Sequence, residues 1–328
     1  MAPQPPTDNQ PRAWLWALIV LSSLLAGMGM VYALVSPSAV PPADFPEAGV
    51  LPWIEVVWAL WVFTFGACIG SFLNVVAYRM PLGISIVAKP SYCPKCETKI
   101  RFRDNVPIFG WLMLRGRCRK CGLAISARYP VVEFATAWCF LAVYVGEIVI
   151  RASAAGSAEG GVIGLFVSHE WYVLGQLAMH LFLVSALMAI VLIEIDGQHV
   201  PPRFRWFCIV VGLVVTCLWP AAYAIEWYSL GALNAVDASS WPLWPTGIAG
   251  LLAGAAMAVG SRKAGVGDSQ LPSALTMTGL FGGWQVVAVV AAVAVAGARI
   301  WMTLQPGSRP VRPTVIVLIT VVVIMCLV

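Results

Sequence analysis

Residues 91–121 read SYCPKCETKIRFRDNVPIFGWLMLRGRCRKC. Cys93 and Cys96 form one CxxC pair and Cys118 and Cys121 a second, with 21 residues between the pairs. Four thiolates in two such knuckles surround a single tetrahedral cation, zinc first, with iron as the alternative for the same ligands. The stretch is also strongly basic. From Arg79 to Arg128 there are eleven Lys and Arg against two acids, Glu97 and Asp104, so over half of the chain's 20 basic residues lie here. Apolar segments flank it on both sides, which makes it a loop between membrane spans, and its positive charge places it in the cytoplasm. A reducing compartment favours metal over disulfides.

Composition sets the class. The chain is 60% hydrophobic and 11% charged, with a mean hydropathy of +0.85. A membrane span needs about 20 mostly apolar residues, and lipid leaves no partner for an open strand edge, so each span is a helix. The expectation is an all-α polytopic membrane protein with about eight transmembrane helices and a cytoplasmic zinc-binding loop. The spans fall at 14–35, 53–78, 129–150, 171–193, 206–225, 243–260, 271–298 and 314–328. The glycines at 279, 282 and 283 mark a place where the seventh can bend or break. Four regions follow: an anchor span with an outer loop (1–52), the second span with the four-cysteine loop (53–128), a membrane core (129–298) and a C-terminal span (299–328). The first segment reads as a retained anchor rather than a cleaved signal, because its apolar run is longer than a usual signal core.

With the basic loop inside, the turns around 194–205 and 261–270 also fall inside. The one departure from the positive-inside rule is the last connection, where Arg309 and Arg312 land outside. The two inner turns carry acids. One reads LIEIDGQHVPP, with Glu194, Asp196 and His199; the other reads KAGVGDSQLP, with Asp268 after Gly265-Val266-Gly267. An acid at a membrane edge is costly to desolvate and is a candidate for function. Two carboxylates brought together share one proton, and such a pair activates water while polarising a carbonyl. The plain alternative is three solvated loop acids.

The stretches GACIGSFLNVVAYRMP (66–81), NVPIFGWLMLRGRC (105–118), ISARYPVVEFATA (125–137) and GVGD (265–268), together with the two CxxC pairs, resemble the bacterial type IV prepilin peptidase family. These are membrane aspartic peptidases of the GxGD type that are also N-methyltransferases. The resemblance runs over about two thirds of the chain, Gly66 to Gln285. It implies a bacterial inner-membrane enzyme with its active site on the cytoplasmic side. Its substrates would be prepilins or pseudopilins of type IV pilus and type II secretion systems. After leader cleavage, S-adenosylmethionine would be the methyl donor to the new N-terminus.

The catalytic residues carried over are Asp268 and Glu194, with Asp196 in reserve. The family's first catalytic aspartate lies seven residues before a Pro-Asp pair, and that position holds Glu194 here. Pro202 stands for the Asp of the pair, and Gln270 for the Lys that usually follows the second motif. A protein with lost or altered protease chemistry, acting as a methyltransferase or an assembly partner, is the alternative. A transporter with a structural zinc loop is a third reading, opposed by the ordered motifs and by the lack of any charged residue deep inside the spans. His199 reads as a solvated turn residue, and no partner is expected for His180. Gly66, Gly70 and Ser71 fit a close contact between helices. Cys68, Cys139, Cys208, Cys217 and Cys326 read as packed thiols. The basic loop fits anionic lipid headgroups rather than nucleic acid.

Overall fold

The computed structural model describes residues 51–87, 91–150, 162, 171–218, 244–263, 270–304 and 313–327. The expected span at 14–35 and the residue Asp268 lie outside this set. Eight helices carry the description: α1 (Leu51–Arg79), the short α2 (Phe109–Met113), α3 (Arg128–Tyr144), α4 (Trp171–Ile195), α5 (Pro202–Leu218), α6 (Trp244–Lys263), α7 (Leu271–Leu304) and α8 (Pro313–Leu327). α3 continues through a π-helical turn, Val145–Ile150. Among the described residues the only β-pairing is two isolated bridges, Tyr92 with Lys99 and Arg117 with Ala124. Both belong to the basic loop.

Among the described residues three helices are long and apolar enough to cross a membrane: Trp53–Arg79, Arg128–Ile150 and Val173–Ile195. They match the expected spans at 53–78, 129–150 and 171–193. α4 is the central one. Leu183, Leu187, Ile190, Leu192 and Ile193 are almost wholly enclosed, as a helix that is hydrophobic all round should be when others surround it.

α1 and α3 are held together by small residues. A β-carbon at Gly66 would fall 2.7 Å from the Ala137 Cα, and one at Gly70 would fall 2.7 Å from the Glu133 Cα. Only hydrogen at these two positions lets the backbones approach so closely, and in lipid that close packing is a main attraction between helices. The Asn74 amide secures the crossing by donating to the Tyr129 carbonyl at 3.4 Å. This is the small-residue contact between helices expected of Gly66 and Gly70.

Two findings correct the expected arrangement. Glu194 is not in a turn; it lies in the last turn of α4, 4% exposed. And α8 does not start at the opposite face. The Thr314 hydroxyl, in the first turn of α8, donates to the Glu194 carboxylate, so α8 begins at the end of the bundle where α4 finishes. The alternation placing residue 314 on the outer face assumed that α7 crosses straight through. α7 has 34 residues, about 51 Å if straight, against a hydrocarbon core of about 30 Å. Its start is tied to the Glu194 end, where Gln270 meets Val200. Gly297, near its other end, packs on Ile316, two residues past Thr314. Both ends are thus drawn toward one side, and Gly282-Gly283 near the middle is the kind of sequence at which a helix changes direction.

Candidate functional site

At this end of the bundle the residues after α4 meet Gln270, which precedes α7. After Ile195 the chain turns back on itself: the Gly197 N–H donates to the Glu194 carbonyl at 2.8 Å and the Gln198 N–H to the Ile193 carbonyl at 3.1 Å. Gly197 takes φ +71°, the left-handed conformation of a helix C-terminus. That turn delivers His199 and Val200 to Gln270, whose Oε1 accepts from the Val200 N–H at 3.3 Å. Its amide nitrogen lies 3.3 Å from His199 Nδ1. Gln270 is two positions beyond Asp268 in the sequence, and Asp268 itself lies outside the described residues. His199, expected to be merely solvated, is exposed yet is part of this junction.

The acids have different surroundings. Glu194 is enclosed and accepts from Thr314. Asp196 is half-buried and engaged by Arg128 at both oxygens, one contact at 2.8 Å, in a bidentate pair. Arg128 opens α3, so this pair ties the start of α3 to the end of α4. Neither Thr314 nor Arg128 was legible as a partner, because the bonds span 120 and 68 positions.

The four cysteines come together. Cys93 Sγ lies 3.6 Å from Cys121 Sγ, and Cys96 Sγ lies 3.9 Å from Cys118 Sγ. All four sulfurs fall within 4.8 Å of one another. A tetrahedron with metal–sulfur bonds of about 2.3 Å needs sulfurs about 3.8 Å apart, so the set can hold a metal ion. Each CxxC sits in the same knuckle. In the first, the Cys93 N–H donates to the Thr98 carbonyl and the Glu97 N–H to the Cys93 carbonyl; in the second, Cys118 pairs with Leu123 and Gly122 with Cys118 in the same pattern. The residue after each pair takes a positive φ, +69° at Gly122 and +53° at Glu97. Only the second knuckle uses the residue that adopts it freely. Hydrogen bonding with the Thr98 side chain and backbone lowers the Cys96 thiol to about 6. The Leu123 N–H pulls Cys121 down, but desolvation and the neighbouring thiols outweigh it and push that thiol up to about 11.

Behind the knuckles the loop is braced. Asp104 receives Arg119 in a bidentate pair at 2.9 and 2.5 Å, and the guanidinium holds this carboxyl below its ordinary range. The Trp111 indole donates to the Ile125 carbonyl at 3.0 Å. Ile108, at φ +64°, donates its N–H to the buried Glu133 at 2.6 Å. Glu133, in the second turn of α3, thus fastens the loop to the membrane bundle, and sequence reading passed over it.

A second buried polar group occupies the other end. The His180 ring on α4 bonds Glu147, which lies in the π-helical turn, both nearly sealed from solvent. The Tyr144 hydroxyl donates to Glu55 at 2.7 Å. The expectation of no charge deep in the spans is therefore corrected: Glu133 and Glu147 both lie inside the Arg128–Ile150 span. They were missed because each stands alone in an apolar run.

Comparison with known proteins bears on all of this. Residues 64–146 match the family model described as the bacterial Peptidase A24 N-terminal domain. The prepilin leader peptidase/N-methyltransferase of Aeromonas salmonicida (strain A449) is 30% identical over 268 residues, which cover 73% of this chain and 77% of that protein. The chain belongs to the prepilin leader peptidase/N-methyltransferase family. Other members align over shorter stretches. The Myxococcus xanthus (strain DK1622) protein of that name is 49% identical over 86 residues, 26% of each chain. The type 4 prepilin-like proteins leader peptide-processing enzyme of Escherichia coli O78:H11 is 34% identical over 167 residues, 45% of this chain and 53% of that one. The chain thus spans between a quarter and about half of the length of these two relatives. No solved structure matches.

Proposed function

We propose that this member of the prepilin peptidase family is an aspartic endopeptidase that cleaves the leader of prepilins or pseudopilins at the cytoplasmic face of the bacterial inner membrane, and that it also N-methylates the new terminus. The observation that supports the reading is the junction of Gln270, two positions after Asp268 in the sequence, with His199 and Val200 just beyond α4. In this reading Glu194 and Asp268 form the proton-sharing pair. One carboxylate takes a proton from water as the water oxygen attacks the scissile carbonyl; the other, protonated, donates to the carbonyl oxygen. Collapse of the tetrahedral intermediate breaks the C–N bond, and the leaving amine takes up a proton. Asp196, held in its pair with Arg128, braces the site rather than reacting.

The four thiolates would hold Zn²⁺ in a structural role, since all four positions of the tetrahedron are protein ligands and none is left for substrate. Methylation would draw on S-adenosylmethionine, to which no residue is assigned. The test is a co-expressed prepilin followed by its mobility shift. Asp268→Asn and Glu194→Gln should each abolish cleavage, whereas Glu194→Asp should preserve it. Cleavage that persists in Asp268→Asn would overturn the reading. The alternative, a member with lost protease chemistry, rests on Glu194 and Pro202 standing where the family has Asp. It predicts cleavage by Glu194→Asp and none by the unaltered chain.

A further inference from the structure

We infer that the short helix α2 and the turn before it form a lipid-inserting surface, with the bilayer of anionic phospholipid as its occupant. The argument starts from spacing. Phe109, Leu112 and Met113 stand at i, i+3 and i+4, one face of a helical turn, and Val106 lies just before them in the chain. All four are exposed, Phe109 at 64% and Met113 at 66%, and Phe102 in the adjoining turn is 91% exposed. The opposite face of α2 is already satisfied, with Gly110 against the Asp104 backbone and Trp111 against Gly116 and Ile125. A loop in water would gain nothing by displaying five large apolar side chains together.

Depth decides the occupant. The residue before α2, Ile108, gives its N–H to Glu133 at 2.6 Å. Glu133 lies four residues further along α3 than Tyr129, about 6 Å deeper along the helix axis. Tyr129 and Tyr78 are half-exposed at the same end of the bundle, where aromatic rings settle at the headgroup level. The Glu133 side chain leans back toward the start of α3, so α2 starts near that level, beside α3, with its apolar face uncovered. Charge points the same way. Arg101, Arg103, Arg115 and Arg117 flank this stretch in sequence and are exposed, and each basic side chain near an anionic leaflet adds to its attraction. Basic residues flanking an apolar face are the pattern of an interfacial helix.

The test uses the full chain reconstituted in vesicles of phosphatidylethanolamine with phosphatidylglycerol. A photoreactive p-benzoylphenylalanine replaces Phe109, Met113 or, as a control on the exposed knuckle, Lys120. Irradiation should give a phospholipid adduct, read by mass, at 109 and 113 and none at 120. No lipid adduct at 109 and 113, or adducts at 120 equal to theirs, would overturn the inference. So would capture of a protein at these positions in whole membranes in place of lipid. A second reading comes from proteolysis at Arg115: vesicles should protect the unaltered loop more than detergent does, and Phe109→Ser with Met113→Ser should lose that difference. Equal protection in both media would overturn it as well. Neither readout depends on prepilin cleavage.

Discussion

Glu194 shows what a single residue reveals and conceals. Its place in the count back from Pro201 was legible, and so was its departure from aspartate. Its partner was not, since nothing in a linear pattern couples it to Thr314. The structure makes Thr314 a candidate for holding the carboxylate in one orientation. Thr314→Val should lower the turnover of prepilin by on the order of 100-fold, the scale of a misplaced reacting group, with the Michaelis constant little changed; Thr314→Ser should retain it. Steady-state kinetics on both variants check this. Asp196 belongs to the other category. Asp196→Asn breaks a half-buried bidentate pair and should show as a lower melting temperature, matched by Arg128→Met and not deepened by combining the two, because both remove one interaction.

At the scale of the element, the zinc loop was the most legible part of the chain. CxxC spacing is a local signal, and the four sulfurs are where it predicts. Cys93→Ser or Cys121→Ser should release the metal, measured by elemental analysis of the purified protein. Metal binding needs deprotonated thiols. Acid that returns protons to them should therefore speed zinc loss to a chelator. The strained knuckle offers a finer check. Glu97→Gly relieves about 1 kcal/mol of left-handed backbone cost and should slow zinc loss, whereas Gly122→Ala should speed it. The attachment of the loop was less legible. Ile108 and Glu133 are 25 positions apart, and a lone glutamate in an apolar helix carries no periodicity to betray it.

On the scale of the whole molecule, hydropathy located the long spans but not how the last two helices return. Runs of apolar residues give lengths, and they say nothing of direction when a helix is drawn back toward its own start. Accessible-cysteine labelling at 313 and 198 should report the same face of the membrane, against the outer position that simple alternation gives residue 314. The buried Glu147–His180 contact was equally hidden. His180→Leu leaves the carboxyl without its partner and should cost on the order of 3 kcal/mol in thermal or denaturant unfolding, and His180→Leu with Glu147→Leu should recover much of it.

The contact between Thr314 and Glu194 also sets an order in time. α1, the knuckles and α3 are neighbours in the chain and can assemble as they leave the ribosome. Glu194 follows them into the membrane, yet the hydroxyl that orients it is encoded 120 residues later. A nascent chain that has reached Asp268 but not residue 313 already has both acids and still lacks the group that aims one of them. In the proposed reading, proteolytic chemistry would therefore be switched on late in synthesis, after the surrounding helices are in place to contain it.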